Sequence, residues 1–167
     1  IIILSISSDA DVAAIRAFRG KVPSVALVAR PVDGFDAGKA LERADALLLD
    51  EHGTRGEKEP GREAVKTGKP IFLSAPDPEA LVASARAVAR ATPRLVLSLA
   101  PAPTLHSWRR LVSDPWIREQ GFPLLLRARP EKDPEATLLR SSVLLGALLA
   151  DGFGDAVQAG TGADPAE

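Results

Sequence analysis

Short, unbroken apolar runs recur along this 167-residue chain, at residues 1–6, 24–29, 46–49, 70–73, 94–99, 123–126 and 156–159. Continuous rather than alternating apolarity is the pattern of strands covered on both faces, as in a parallel sheet. Between the runs lie segments with helical spacing. Val12, Ile15 and Phe18 form one stripe; Leu81, Val82, Ala85, Val88 and Ala89 form a second, with Glu79, Arg86 and Arg90 opposite. Leu138, Leu139, Ser142, Leu145 and Leu149 form a third. Asp-Pro pairs at Asp77-Pro78, Asp114-Pro115 and Asp133-Pro134 mark helix starts, where a carboxylate caps free N–H groups and proline takes the first helical position. The alternation predicts an α/β fold of repeating β-α units, with about seven parallel strands and six helices joined by right-handed crossovers. The even repeat favours a trimmed TIM-barrel-like arrangement, since a complete eightfold barrel needs about 250 residues. An open doubly wound sheet is the alternative.

No boundary interrupts residues 1–160, which read as a single β-α domain; residues 161–167 are small, polar and Pro-containing and read as a tail or linker. A strand at the first residue is expected of a domain excised from a longer chain. The opening apolar stretch is too short to span a bilayer and lacks the flanks of a signal peptide. The charged, Gly-containing connection at residues 51–61 reads as a mobile loop.

Composition removes several chemistries. Lys and Arg total 21 against 22 Asp and Glu, a balance that argues against a nucleic-acid backbone binder. With no Cys, the chain has no disulfide framework, thiolate nucleophile or Cys-ligated cluster. Its two histidines, His52 and His106, are too few for a His-rich metal site. No glycine-rich phosphate loop occurs: residues 53–58 have the wrong spacing, and the loop after the first run, Ser7-Ser8-Asp9-Ala10-Asp11, is acidic.

Function in β-α folds gathers on loops after the carboxyl ends of strands. Asp50-Glu51-His52 is the acid/base candidate there. Asp50 and His52 share one side of an extended chain and can pass a proton; the alternative is a solvated loop start. Arg127 and Arg129, on one side of the sixth strand, together with Arg30 at the end of the second, can hold an anion through guanidinium forks. The alternative is ordinary ion pairing with Glu131, Asp133 and nearby acidic loops. His106 reads as a surface or half-buried residue in the first turn of a helix. Trp108 and Trp116 read as groove-filling residues between helix and sheet.

The most distinctive stretch is residues 144–155, Leu-Leu-Gly-Ala-Leu-Leu-Ala-Asp-Gly-Phe-Gly-Asp. An apolar helix ends at Ala150 or Asp151, and Gly152 and Gly154 supply positive-φ positions for a tight reversal into the last strand. Such an α-to-β loop lies on the amino-terminal face of the sheet, where distinctive residues serve stability rather than catalysis. Gly146, mid-helix, costs about 1 kcal/mol relative to Ala unless close packing requires it.

Leu148, Leu149, Asp151, Gly152, Gly154 and Asp155 resemble the LLxDGxGD segment near the end of the inserted middle domain of hydroxymethylbutenyl diphosphate synthase, in its three-domain form. Gly121-Phe122-Pro123, leading into an apolar strand, is similar to that family's run before its penultimate strand. The likeness covers residues 119–160; Ala150 and Phe153 replace larger aliphatics. What the resemblance implies is a non-catalytic, barrel-like spacer between two working domains. In that family a separate barrel binds methylerythritol cyclodiphosphate, and another domain carries a [4Fe-4S] cluster on three cysteines and a glutamate. The implied partners are the other domains of the same polypeptide, with ferredoxin or flavodoxin as electron donor. No nucleic acid or membrane is expected, and the implied compartment is cytoplasm, or plastid stroma in a plant. No cluster ligand or substrate residue carries over to this sequence, and no cofactor is expected in this domain. The rival expectation is a small barrel-like enzyme or anion-binding module using Arg30, Asp50, His52 and Arg127.

Overall fold

The apolar runs become parallel strands in the computed structural model, which describes residues 2–21, 26–31, 36, 39, 41, 44–49, 62–100, 103–129 and 131–158. Along the chain lie β1 (Ile2–Ile6), α1 (Asp9–Lys21), β2 (Leu27–Pro31), β3 (Ala46–Leu49), α2 (Arg62–Thr67), β4 (Ile71–Ala75) and α3 (Pro78–Ala89). There follow β5 (Leu95–Leu99), α4 (Leu105–Ser113), α5 (Pro115–Gln120), β6 (Leu125–Arg127), α6 (Pro134–Ala150) and β7 (Ala156–Gln158). The fold is therefore α/β, with the expected seven strands and six helices among the described residues. β1 to β5 form a sheet in the order β1-β2-β3-β4-β5, and β6 and β7 form a parallel pair. A parallel bridge joins Leu97 of β5 to Leu124. The five-stranded order contains no reversal, so the switch point that defines a doubly wound sheet is absent from it.

The second strand sits later than the apolar run at residues 24–29 suggests. Pairing with β1 sets its limits, Ile2 opposite Leu27 through Ile6 opposite Pro31. A proline with no N–H to donate is tolerated at a strand end. The expected mobile loop at residues 51–61 and the tail at 161–167 lie outside the described residues.

Chain contacts divide into two compact units, each made of two segments. The first comprises Ile1–Leu73 and Arg86–Leu95. Its core gathers Ile6, Ile15, Leu27, Ala29 and Ala44, with Val12 packed against them. Two of the three residues in the first predicted stripe thus face inward, whereas Phe18 is exposed. A reciprocal clasp fixes the strand starts: Leu27 N–H donates to the Asp45 carboxylate, and Asp45 N–H donates to Leu27 O, both at 2.8 Å.

The second unit comprises Ser74–Ala85 and Val96–Glu167. Leu97, Leu99, Trp108, Leu111, Leu126 and Leu148 are fully buried in it. The three Asp-Pro pairs cap as predicted. Asp77 accepts from Ala80 N–H, Asp114 from Trp116 and Ile117 N–H, and Asp133 from Glu135 N–H, at 2.8–3.1 Å. In α3, Leu81, Ala85 and Val88 are buried while Glu79, Arg86 and Arg90 face solvent, matching the second stripe.

The third stripe is corrected by the structure. Of its members only Leu145 is buried; Leu138 and Leu139 are 70% and 67% exposed, and Ser142 and Leu149 also face outward. The buried face of α6 is instead Thr137, Ser141, Leu145 and Leu148. Because α6 is apolar all round, its periodicity does not select a face. A local polar contact does: Thr137 Oγ1 donates within reach of Glu131 O and Asp133 O, and accepts from Glu131 N–H at 2.7 Å.

Candidate functional site

Both ends of the strands in the second unit carry polar groups, and the two ends are built differently. At the amino end lies the Asp-Gly block after α6. Gly152 and Gly154 adopt φ of 80° and 100°, as the sequence predicts. A Cβ on Gly154 would stand 2.5 Å from Leu126 Cδ1, so the turn lies directly against the β6 side chain. Leu124 N–H donates to Asp155 Oδ2 at 2.8 Å, and Asp155 N–H donates to Leu124 O at 2.9 Å. Arg109 donates through Nε and Nη2 to Asp151 Oδ2, at 2.9 and 2.7 Å, tying α4 to the end of α6. Both carboxylates of the block are thus engaged, Asp151 in joining two helices and Asp155 in holding the turn to Leu124.

At the carboxyl ends a polar group of residues shares one face of the parallel ladder. Ala100 N–H donates to Ala75 O at 3.0 Å, which sets Ser74 of β4 beside Ser98 of β5. The Leu97–Leu124 bridge sets Ser98 level with Leu125, and Arg127 lies two residues further on, hence on the same face. Arg127 pairs in register with Gln158 of β7. Ser74 and Ser98 are 6% and 0% exposed. Arg127 Nη1 donates to Ser74 Oγ at 3.5 Å. Two buried atoms of this group, Ser98 Oγ and Gln158 Oε1, have no hydrogen-bond partner among the described residues. Buried hydroxyl and amide groups are satisfied in the great majority of cases, so these orphans on β5 and β7 are unusual, as are Trp108 Nε1 and Ser141 Oγ, which are orphaned likewise.

The sequence candidates fare unequally. Arg127 lies in this group. Arg129 lies beyond the end of β6 and is exposed, so strand alternation does not align it with Arg127 as expected. Arg30 is half-buried inside β2, level with Ser5 of β1, and belongs to the other unit. Asp50 and His52 lie outside the described residues. Glu131 pairs with Arg140 at 2.8 Å and Asp133 caps α6, so neither takes the ion-pairing role weighed for it with Arg127 and Arg129. His106 is exposed at the start of α4. Trp108 is fully buried, and Trp116 is half-buried with its ring 5.4 Å from that of Phe122.

Sequence reasoning misses Ser74, Ser98 and Gln158: Ser98 and Gln158 sit inside apolar runs, and Ser74 directly follows one. A signal does exist: β4 and β5, Ile-Phe-Leu-Ser-Ala and Leu-Val-Leu-Ser-Leu, carry serine at the same fourth position.

At the carboxyl end of β1, in the first unit, the acidic loop is self-satisfied. Asp11 Oδ2 accepts from Ser7 N–H and Ser8 N–H at 2.8 and 2.9 Å and from both serine hydroxyls. These bonds, that from the Ser7 backbone foremost, hold the Asp11 carboxyl below its ordinary 3.8.

The residues do not fit an iron–sulfur cluster. The chain offers no thiolate, and no group of three or more acidic or histidine side chains suited to a metal ion occurs among the described residues. Among the described residues, no helix is long and apolar enough to cross a membrane. Compared with known proteins, the chain matches no family model and no curated sequence.

Proposed function

We propose that this chain is a structural spacer domain, the insert of a three-domain hydroxymethylbutenyl diphosphate synthase, positioning the substrate-binding barrel and the iron–sulfur domain of its parent. On this reading the reductive chemistry, the [4Fe-4S] cluster and the ferredoxin or flavodoxin contact belong to other domains of the same polypeptide. The parent then works in cytoplasm or plastid stroma. The observation that carries the reading is the construction of α6 and its closing block, the segment in which the resemblance lies. The inner face and the Asp151–Asp155 turn are committed to stability, through Arg109, Leu124 and Leu126.

The outer face of α6 supports the same reading. Leu138, Leu139, Val143 and Leu149 are exposed, an apolar surface of the kind that marks a protein–protein contact. Gly146 lies on that face, and a Cβ there would meet nothing within 4 Å. Packing among the described residues therefore gives no reason for a helix-weakening glycine, whereas close approach of a neighbouring domain would.

Calorimetric titration of the chain with methylerythritol cyclodiphosphate tests the proposal directly. A spacer gives no binding heat, and tight binding would overturn the role. The complete reading frame supplies the independent check: cysteines with cluster spacing downstream and a barrel of about 250 residues upstream are expected.

A further inference from the structure

We infer that the outer face of α6 pairs two copies of this chain through an antiparallel, two-fold-related helix contact. The inference deepens the reading of that face as a contact surface and rests on that part of it alone. It names the neighbour as the same domain of a second molecule. Between residues 138 and 150, every exposed residue except Arg140 falls on one arc of about 140° around the helix. Leu138, Leu139, Val143 and Leu149 are 70%, 67%, 65% and 49% exposed there. Among the residues of α6, the one charge in line with this arc is Glu135, in the first turn.

The order of residues along this face is its own complement when reversed. Leu139, Ser142, Gly146 and Leu149 are separated by three, four and three positions, the spacing of a helix-pairing seam. In an antiparallel pair with its two-fold axis level with residue 144, Leu139 of one copy meets Leu149 of the other, and Ser142 meets Gly146. Large side chains close both ends of the seam, and the small centre lets the two backbones approach. Such an interface is isologous, one patch meeting itself, which is the commonest way identical chains associate. Charge decides the direction. A parallel pair would set two Glu135 carboxylates side by side, whereas the antiparallel pair puts them at opposite ends. Area sets the strength. By the transfer free energy of its burial, a Leu or Val side chain offers roughly 100 Å² of apolar surface, so the four leave roughly 250 Å² open on each copy. A stable interface takes about 800 Å² from each partner, somewhat over half of it apolar. The face supplies about half of that apolar share, which fits a reversible dimer in the micromolar range rather than an obligate one.

Sedimentation velocity of the 167-residue chain over a concentration series decides the matter. The mean mass is expected to climb from 17.6 kDa toward twice that value through the micromolar range. Leu139→Glu, at a position already exposed in the single chain, is expected to keep the melting midpoint of the dilute protein and to weaken association at least about tenfold. Gly146→Leu separates a close helix crossing from indiscriminate apolar sticking. The added side chain meets nothing in the single chain, so the crossing predicts association weakened by about tenfold and sticking predicts it strengthened. The chain has no Cys, so introduced thiols read the direction. Leu139→Cys mixed with Leu149→Cys is expected to form a mixed disulfide faster than either variant links to itself. A chain that stays monomeric, undiminished association in Leu139→Glu, tightening by Gly146→Leu, or preferential self-linking of Leu139→Cys overturns the inference. Monomeric behaviour leaves the spacer reading intact and assigns the face to a flanking domain of the parent. Binding of the cyclodiphosphate removes the spacer reading and leaves the dimer.

Discussion

The two ends of the β6–β7 pair differ in how completely their polar groups are used. At the amino end, Asp155 and Leu124 exchange two hydrogen bonds, Asp151 holds Arg109, and Gly154 lies against Leu126. At the carboxyl end, Ser98 Oγ and Gln158 Oε1 are buried without partners beside Arg127. One end is closed chemically and one is open. Unsatisfied atoms are not confined to that end, since Trp108 Nε1 and Ser141 Oγ are also buried without partners; what sets the two strand ends apart is that both carboxylates of the amino-end block are engaged.

That contrast is breakable by substitution. The largest effect is expected for Gly154→Ala, which combines a positive-φ backbone with a collision against Leu126 and should cost about 3 kcal/mol in urea unfolding. Asp155→Ala strands the N–H of buried Leu124 and should cost about 2 kcal/mol by the same measurement. Gly146→Ala, on the outer face of α6, should instead stabilise the isolated chain by about 1 kcal/mol, because the added methyl meets nothing. A loss of stability there would show that the outer face is already packed. Ser98→Ala at the open end should change stability by less than about 1 kcal/mol, since no intramolecular bond is broken. If it costs as much as Asp155→Ala, the two ends are not different in kind.

The smallest effect concerns the β1 carboxyl end, which Asp11 closes by itself. Its carboxyl is held below 3.8 in the folded state, so the folded form binds the proton less readily than the unfolded form. The resulting stabilisation is present above the unfolded value and is lost as pH falls through the lowered one. Melting midpoints of the chain and of Asp11→Asn should therefore differ near neutrality and converge in acid below about pH 4. A difference that persists unchanged in acid would remove the carboxylate from the explanation.

Much of the architecture is legible in the sequence because short-range chemistry dictates it. Each Asp-Pro pair encodes a cap, the apolar runs at 46–49, 70–73 and 94–99 largely buried strands, and Gly152 and Gly154 a reversal. The orientation of α6 is not legible, since Leu occurs on every side and the deciding contact, Thr137 with Glu131, spans a loop. Arg127 is visible as a charge at a strand end. Its companions are not, because Ser74, Ser98 and Gln158 become neighbours only through register between strands far apart in sequence. For Arg30, the arithmetic of strand ends misleads: pairing with β1 extends β2 past it to Pro31.

The strand order has a consequence for how the chain is made. From β1 to β5, each strand hydrogen-bonds to the one synthesised immediately before it. As the polypeptide leaves the ribosome, every new strand finds a finished edge waiting, and none of the five must be held in reserve for a partner still to be translated. Domains generally fold as units during synthesis, N-terminal parts first. A sheet laid down in order exposes one growing edge at a time, which limits the unpaired edge available for aggregation while the rest of the chain is completed.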